Sequence, residues 1–263
     1  MSRGRKVIAS PEDEGYASRY SEEFTKESFR ELHRLAFWAR SMGPAFYLIG
    51  GWAAWRFHQG LGSRDIDVVF MDRQIGDAFL GSYCVQNGYE LHGNMLCKRF
   101  KKRVVVGDMT VYVEIDAAAM AERCQFKRDR NKRLPYSLMR NHSLAWDIRG
   151  ESVLTPTSEL LLLQKVKALS DRTWELEHEV LSPLDSAYIM SKIWKDRYDI
   201  SSLAPLVGDW GRSGGLRRRA GAGSWWKRPW GGSGCRRAED ARQTVDSLGI
   251  ELPRPIDADR VVT

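Results

Sequence analysis

The spacing of apolar residues predicts an alternation of helices and strands over the first half of the chain. Residues 21–42 carry apolar side chains every three or four positions, which is the period of a helix. Shorter apolar stretches follow, and they predict strand 45–49, helix 51–58, strand 66–70, helix 74–87 and strands 95–106 and 109–116. Gly107-Asp108, between the last two strands, is typical of a hairpin turn. This order of elements indicates an α+β fold built on a mixed sheet.

The pattern becomes helical near residue 150. Thr155-Pro156 is typical of a helix start, because proline is favoured at the first helical position. Residues 159–169 (ELLLLQKVKAL) and 183–206 then predict two helices whose leucines and isoleucines form a shared core. The sequence therefore predicts a first domain at residues 1–150 and a helical domain at residues 151–207.

The segment after residue 207 differs in composition from the rest of the chain. Residues 208–237 are rich in Gly, Arg and Trp and show no period, so we expect a disordered tail over 208–263. These thirty residues hold seven Arg, one Lys and one Asp, and 8 − 1 = +7 equals the net charge of the whole chain. The tail is either an RNA-binding segment with tryptophans that stack on bases or a non-functional end. We favour the second interpretation, because an out-of-frame coding region would produce such a change of composition.

Several features predict a cytoplasmic protein without a membrane partner. The N-terminal residues are too polar for a signal peptide, and no apolar run approaches the ~20 residues that span a bilayer. The four cysteines form neither a CxxC pair nor a zinc spacing, which indicates reduced thiols.

The clearest chemical signal is a pair of aspartates one residue apart, Asp65 and Asp67. Residues i and i+2 of a strand share one face, so the two carboxylates repel each other unless a cation lies between them. We predict Mg²⁺ or Mn²⁺ there, since such ions prefer oxygen ligands and bind substrate phosphates. Gly50-Gly51, between a strand and a helix, lets backbone N–H groups approach a phosphate, and Ser63 can donate to the same phosphates.

A third carboxylate is expected on a neighbouring strand. The segment VYVEID alternates, so Glu114 and Asp116 share a face, and either acid could take the proton of an attacking hydroxyl. We prefer Glu114, because Asp116 is expected at the end of its strand, where it would cap a following helix.

These motifs resemble those of the nucleotidyltransferase superfamily of the DNA polymerase beta type. The resemblance rests on a glycine pair, paired acids and a later acidic strand: Ile49-Gly50-Gly51, Asp65-Ile66-Asp67 and Glu114 or Asp116. The C-terminal half adds a second resemblance, to the lysine and KDxxD motifs of AbiEii-type, MenT-like toxin nucleotidyltransferases: Lys165, Asp171 and Lys195-Asp196-Arg197-Tyr198-Asp199. The resemblance covers roughly residues 45–205 and implies a mixed-sheet nucleotidyltransferase fold with a C-terminal helical extension.

The resemblance also implies an activity, the transfer of an NMP group from an NTP to an acceptor hydroxyl with release of pyrophosphate. By the same resemblance Lys165 contacts the triphosphate, and Asp196 positions the nucleotide or the acceptor. The toxin branch implies tRNA or another RNA as acceptor and a cognate antitoxin as partner. Two basic runs, 98–103 and 127–133, are candidate RNA contacts, and we favour the first because it enters the strand beside the site.

Three alternatives stay open at this stage. The acceptor could be a small molecule, as in nucleotidyltransferases that modify antibiotics. Asp65-Ile66-Asp67-Val68-Val69 also fits the DxDx(V/T) signature of haloacid-dehalogenase-like phosphatases, which release orthophosphate instead of pyrophosphate. The chain could also be a non-catalytic nucleotide- or RNA-binding regulator, although a pure binding protein has no need to crowd carboxylates.

Overall fold

A computed structural model describes residues 20, 22–42, 45–94, 97–122 and 124–207, and seven strands form one sheet in this part of the chain. The strands are β1 (Phe46–Ile49), β2 (Asp65–Phe70), β3 (Glu90–Asn94), β4 (Cys97–Val106), β5 (Met109–Ala119), β6 (Ser143–Ile148) and β7 (Glu151–Pro156). The helices are α1 (Glu22–Met42), α2 (Gly50–His58), α3 (Arg73–Gln86), α4 (Ser158–His178) and α5 (Pro183–Leu203), with 3₁₀ turns at Tyr136–Arg140 and Ala204–Val207.

The sheet is mixed, with strand order β3-β4-β5-β2-β1-β7-β6. Strand β2 runs parallel to β5 and β1 runs parallel to β7, whereas the other neighbours are antiparallel. Helices α4 and α5 follow the last strand. The predicted fold class, a mixed sheet with a C-terminal helical extension, is therefore confirmed.

The two faces of the sheet carry different side chains, because side chains alternate along each strand. Ile66, Val68 and Ile115 are fully buried against α1 and α3 in the main apolar core. Asp65 and Asp67 alternate with Ile66 and Val68 along β2 and therefore face the other way. The opposite face of the sheet is thus free for polar chemistry, while the apolar face anchors the strands.

The helical extension covers this second face. Thr157 caps α4 by accepting from the backbone N–H of Leu160, and Ser182 caps α5 in the same way through Asp185. The two helices pack through a separate apolar cluster to which α2 also contributes: Ala53, Ala54, Leu161, Leu162, Val166, Leu169, Ile189, Ile193, Ile200 and Leu203. None of the helices in the described ranges is both long and apolar enough to cross a bilayer.

The predicted elements differ from the observed ones in two regions, residues 143–156 and residues 90–94. Thr155-Pro156 ends β7 instead of starting a helix, and α4 begins at Ser158. Strands β6 and β7 form a hairpin that the pattern did not indicate, because Arg149 occupies a left-handed conformation (φ 54°) that favours Asn, Asp or Gly. Residue 150, the predicted end of the first domain, lies in the turn between these paired strands. Strand β3 was also not predicted. The tail at 208–263 lies outside the described residues.

Candidate active site

Strand pairing brings the glycine pair to the paired aspartates. Strands β1 and β2 are antiparallel with Ile49 opposite Asp67, so Gly50, the next residue, lies beside the Asp67 carboxylate. Gly50 has φ +71°, and a Cβ atom built on it would overlap Asp67 Oδ2. Only glycine satisfies both conditions without strain. The two halves of the sequence motif therefore meet in one place.

Gly50→Ala tests this close approach. We expect it to lower the free energy of unfolding by about 1–3 kcal/mol, because alanine is strained at this φ and its methyl group displaces Asp67. Gly81→Ala is the matched control, since a Cβ atom at Gly81 in α3 meets nothing within 4 Å, and it should stabilise the protein by about 0.5–1 kcal/mol. Urea unfolding of both variants measures the difference. Equal stabilities would contradict the contact between Gly50 and Asp67.

The first turn of α2 is an uncapped helix N-terminus that opens into the same cavity. Its N-cap residue, Ile49, offers no side-chain hydrogen bond, and the turn holds no acidic residue, so its backbone N–H groups have no side-chain acceptor there. A Cβ atom on Gly51 would lie 2.6 Å from Ser63 Oγ and 3.4 Å from Lys195 Nζ. Backbone donors, a hydroxyl and an ammonium group thus surround one point, which suits an anion such as phosphate.

The second acidic strand supplies both predicted carboxylates. In the parallel pair of β2 and β5, Asp65 lies opposite Glu114 and Asp67 lies opposite Asp116. Lys101 Nζ pairs with Glu114 Oε1 at 2.9 Å. In contrast, Asp116 Oδ1 is buried without a hydrogen-bond partner, and Arg99 Nε lies 3.4 Å from it without hydrogen-bond geometry. Strand β5 continues to Ala119, so the expectation that Asp116 ends its strand and caps a helix is wrong.

The carboxylates differ in their pKa. Burial alone would raise the pKa of Asp65, but the ion pair with Lys192 outweighs it and lowers the pKa below its usual value. Burial raises the pKa of Asp67, and the negative charge of Asp65 adds to this effect. Burial and then Asp67 raise the pKa of Asp116 to about 7. The group therefore contains one stabilised carboxylate and two that a cation would stabilise.

Cations from the helical extension close the other side of the cavity. Lys192 on α5 donates to Asp65 Oδ2, and Arg172 on α4 donates to Asp196. Lys165, also on α4, is buried and pairs with Asp199 at 2.7 Å and Asp196 at 3.3 Å. The cavity between sheet and extension has a volume of about 570 Å³, and it is lined by all nine predicted site residues: Gly50, Gly51, Ser63, Asp65, Asp67, Glu114, Asp116, Lys165 and Asp196.

Asp199 is the centre of a buried polar network behind this cavity. It accepts from Lys165, from Lys195 and from His58 Nε2, the last at 3.1 Å. His58 Nδ1 accepts from the backbone N–H of Gly60, so the imidazole proton resides on Nε2 and points to Asp199. The network ties α2 to both helices of the extension.

Lys195 was named from the sequence only within the KDxxD resemblance, and two further cations of the site, Arg172 and Lys192, were not singled out. Helical spacing holds a signal for them, because Arg172 lies two turns after Lys165 and Lys192 lies one turn before Asp196. The structure places the two basic runs in different surroundings. Three residues of the first run pair with acidic groups: Arg99 with Asp116, Lys101 with Glu114 and Lys102 with Glu31. The second run forms an exposed loop whose base, Leu134, lines the cavity.

The donor set fits a hard divalent cation. Asp65 and Asp67 offer carboxylate oxygens on one face of β2, and the buried Asp116 Oδ1 accepts no hydrogen bond. Within the described ranges, no three acidic, His or Cys side chains are already gathered around a common point. The ion pair between Lys192 and Asp65 occupies part of the space that a cation would share.

No protein-family model and no curated protein sequence matches the chain. Several solved structures share part of its architecture. An antigenic nucleotidyltransferase-like protein from Paracoccidioides brasiliensis is 19% identical, with 69% of this chain and 77% of that chain covered and a TM-score of 0.45. A lincosamide antibiotic adenylyltransferase with lincomycin bound is 15% identical, with coverage of 67% and 96% and a TM-score of 0.39. Similarity at this level defines no activity.

Proposed function

We propose that the protein is a metal-dependent nucleotidyltransferase that moves an NMP group from an NTP to an acceptor hydroxyl. The observation that carries the proposal is the meeting of two different sites in one cavity. Asp65 and Asp67 on β2 and Asp116 on the adjacent strand β5 bring three carboxylates to one cavity. Gly50-Gly51 forms an anion site directly beside them. A non-catalytic binding protein would gain nothing from such crowded carboxylates.

The proposed reaction divides the work among these residues. The acceptor oxygen forms a bond to the α-phosphorus, the bond from the α-phosphorus to the bridging oxygen breaks, and pyrophosphate leaves. Asp116 takes the acceptor proton, because its buried Oδ1 has no hydrogen-bond donor and because burial and the charge of Asp67 raise its pKa to about 7. This replaces the earlier preference for Glu114, whose carboxylate is paired with Lys101. The first turn of α2, Ser63 and Lys195 bind the phosphates.

Asp65 and Asp67 are the proposed ligands of Mg²⁺ or Mn²⁺. When bound, the ion lowers the pKa of the acceptor hydroxyl and neutralises charge on the triphosphate. Asp196 and Lys165 stay proposed nucleotide-site residues. Their mutual pairing positions the Lys165 ammonium group at the cavity wall instead of in solvent.

For the acceptor we propose the hydroxyl of an RNA, with tRNA as the first candidate. Support comes from a second hollow next to the active-site cavity: Arg133, Pro135 and Ser137 line the hollow, and the alternate residues Leu134 and Tyr136 line the cavity. Arg133 and Arg140 line this hollow, and both are exposed. Arginine side chains beside an active site can hold the phosphates of a polynucleotide whose end enters the cavity.

The test is a transfer assay with the full chain, Mg²⁺, each NTP labelled at the α-phosphate, and either total RNA or a panel of aminoglycosides and lincosamides. We expect label in RNA and one pyrophosphate per transfer. Label in a small molecule alone would replace the RNA acceptor with a small-molecule acceptor. Orthophosphate without label transfer would favour the phosphatase alternative, and no product from any NTP would contradict the proposed enzyme.

The arginine contacts give a sharper prediction for the RNA acceptor. Arg133→Ser and Arg140→Ser should each raise the KM for RNA by about three- to tenfold and reduce its dependence on salt, because each removes one phosphate contact. Arg30→Ser is the control, since it removes an exposed arginine from α1, on the opposite face of the sheet. An unchanged KM in both cavity-side variants would contradict this path for the acceptor.

A further inference from the structure

Lys192 donates a hydrogen bond to Asp65, one of the two proposed metal ligands. It lies on α5, and its ammonium group donates to Asp65 Oδ2 across the boundary between extension and sheet. The side chains are only 14% and 18% exposed, so water screens this pair weakly. Lys192 is outside the KDxxD segment, and the proposed reaction has so far given it no role.

A lysine at this place competes with a divalent cation. An oxygen that accepts from an ammonium group offers less of its electron density to a metal, and two cations on one carboxylate repel each other. The positive charges that act on Asp67 also come from the extension, from Lys192, Lys165 and Arg172. In the absence of a metal, Lys192 therefore supplies the charge that keeps Asp65 and Asp67 side by side.

An anion site lies close to Lys192 on the same helix. While it pairs with Asp65, Lys192 Nζ also lies 5.3 Å from the centroid of the Tyr188 ring, one turn earlier on α5. One turn later, Lys195 Nζ lies beside Gly51, at the proposed phosphate site. A flexible lysine between these residues can leave Asp65 and approach the phosphates without movement of the helix.

We propose that Lys192 is an exchange residue: its ammonium group occupies Asp65 in the metal-free protein, and it moves to the triphosphate when metal and NTP bind. This inference rests on the proposed function. It assigns Lys192 two opposite effects. The residue weakens the binding of free metal and strengthens the binding of NTP.

Binding of Mn²⁺ without nucleotide tests the first effect, with free Mn²⁺ measured by electron paramagnetic resonance. Lys192→Met should bind Mn²⁺ about five- to tenfold more tightly than the unmodified protein, because the competing charge is gone. Lys167→Met is the matched control, since Lys167 lines the same cavity but pairs with Asp171, and its Mn²⁺ affinity should change less than about twofold. Lys192→Gln keeps a donor for Asp65 and serves as the test if the methionine variant does not fold. Its Mn²⁺ affinity should lie between those of the unmodified protein and Lys192→Met.

Steady-state kinetics test the second effect. In Lys192→Met the KM for NTP should rise about tenfold while the half-saturating Mn²⁺ concentration falls, and a merely structural role would not move the two in opposite directions. Equal or weaker Mn²⁺ binding by both Lys192 variants would overturn the inference and leave the proposed function standing. If no form of the protein binds Mn²⁺, both fail. Tighter Mn²⁺ binding without any pyrophosphate release would support the exchange and contradict the enzyme.

Discussion

Asp116→Asn is expected to slow NMP transfer by about 10²–10⁴-fold, whereas Glu114→Gln should slow it by less than about tenfold. Both acids lie on the cavity side of β5, two residues apart and therefore on the same face. Their surroundings decide the difference. Glu114 already pairs with Lys101, but Asp116 has a buried oxygen without a hydrogen bond and lies opposite Asp67. Asparagine keeps the size of the side chain and removes its ability to accept a proton.

Single-turnover pyrophosphate release at saturating NTP measures this effect on the chemical step. Asp108→Asn is the control, because it makes the same chemical change in the exposed turn between β4 and β5, and it should leave the rate unchanged. Urea unfolding should show that Asp116→Asn is at least as stable as the unmodified protein, because it removes one charge from a crowded group. A larger loss of rate in Glu114→Gln than in Asp116→Asn would return the role to Glu114.

The paired aspartates and the glycine pair could be predicted from the sequence, because both depend on local periodicity. Alternation along a strand places Asp65 and Asp67 on one face in any register, and a glycine pair between strand and helix needs no distant contact to be recognised. The choice between Glu114 and Asp116 could not be made in this way. It depends on Lys101 of the neighbouring strand and on the continuation of β5 to Ala119, and both are properties of the pairing between strands.

The sequence predicted the hairpin whose turn contains typical turn residues, and it did not predict the hairpin whose turn contains an arginine with a positive φ. Gly107-Asp108 indicated the hairpin of β4 and β5, and the strands pair as expected. The hairpin of β6 and β7 turns at Arg149-Gly150, where a non-glycine residue takes a positive φ. In the extension, spacing on each helix was visible in the sequence. The contact of Lys165 with Asp199 was not, because it depends on how α4 and α5 are rotated toward each other.

The buried network at Asp199 leads to the largest expected effect on stability. The Asp199 side chain is fully buried, and it pairs with Lys165 at 2.7 Å and with Lys195 at 3.1 Å. Burial would raise the pKa of Asp199, but the two lysines hold it well below its usual value of 3.8. Because the pKa is lowered in the folded state, the stabilisation is complete above about pH 4 and is lost only in stronger acid.

Asp199→Ala should therefore lower the free energy of unfolding by about 3–5 kcal/mol at neutral pH, because it leaves buried ammonium groups without their shared partner. Glu27→Ala, which breaks an exposed pair with Arg30 on α1, should cost less than about 1 kcal/mol. In the double variant Asp199→Ala/Lys195→Met the buried lysine charge is removed as well, so its loss should be smaller than the sum of the two single losses. Urea unfolding of the unmodified protein, Asp199→Ala, Lys195→Met and the double variant measures this coupling. Additive losses would show that Lys195 and Asp199 do not depend on each other, and the pair would then contribute by packing instead of by charge.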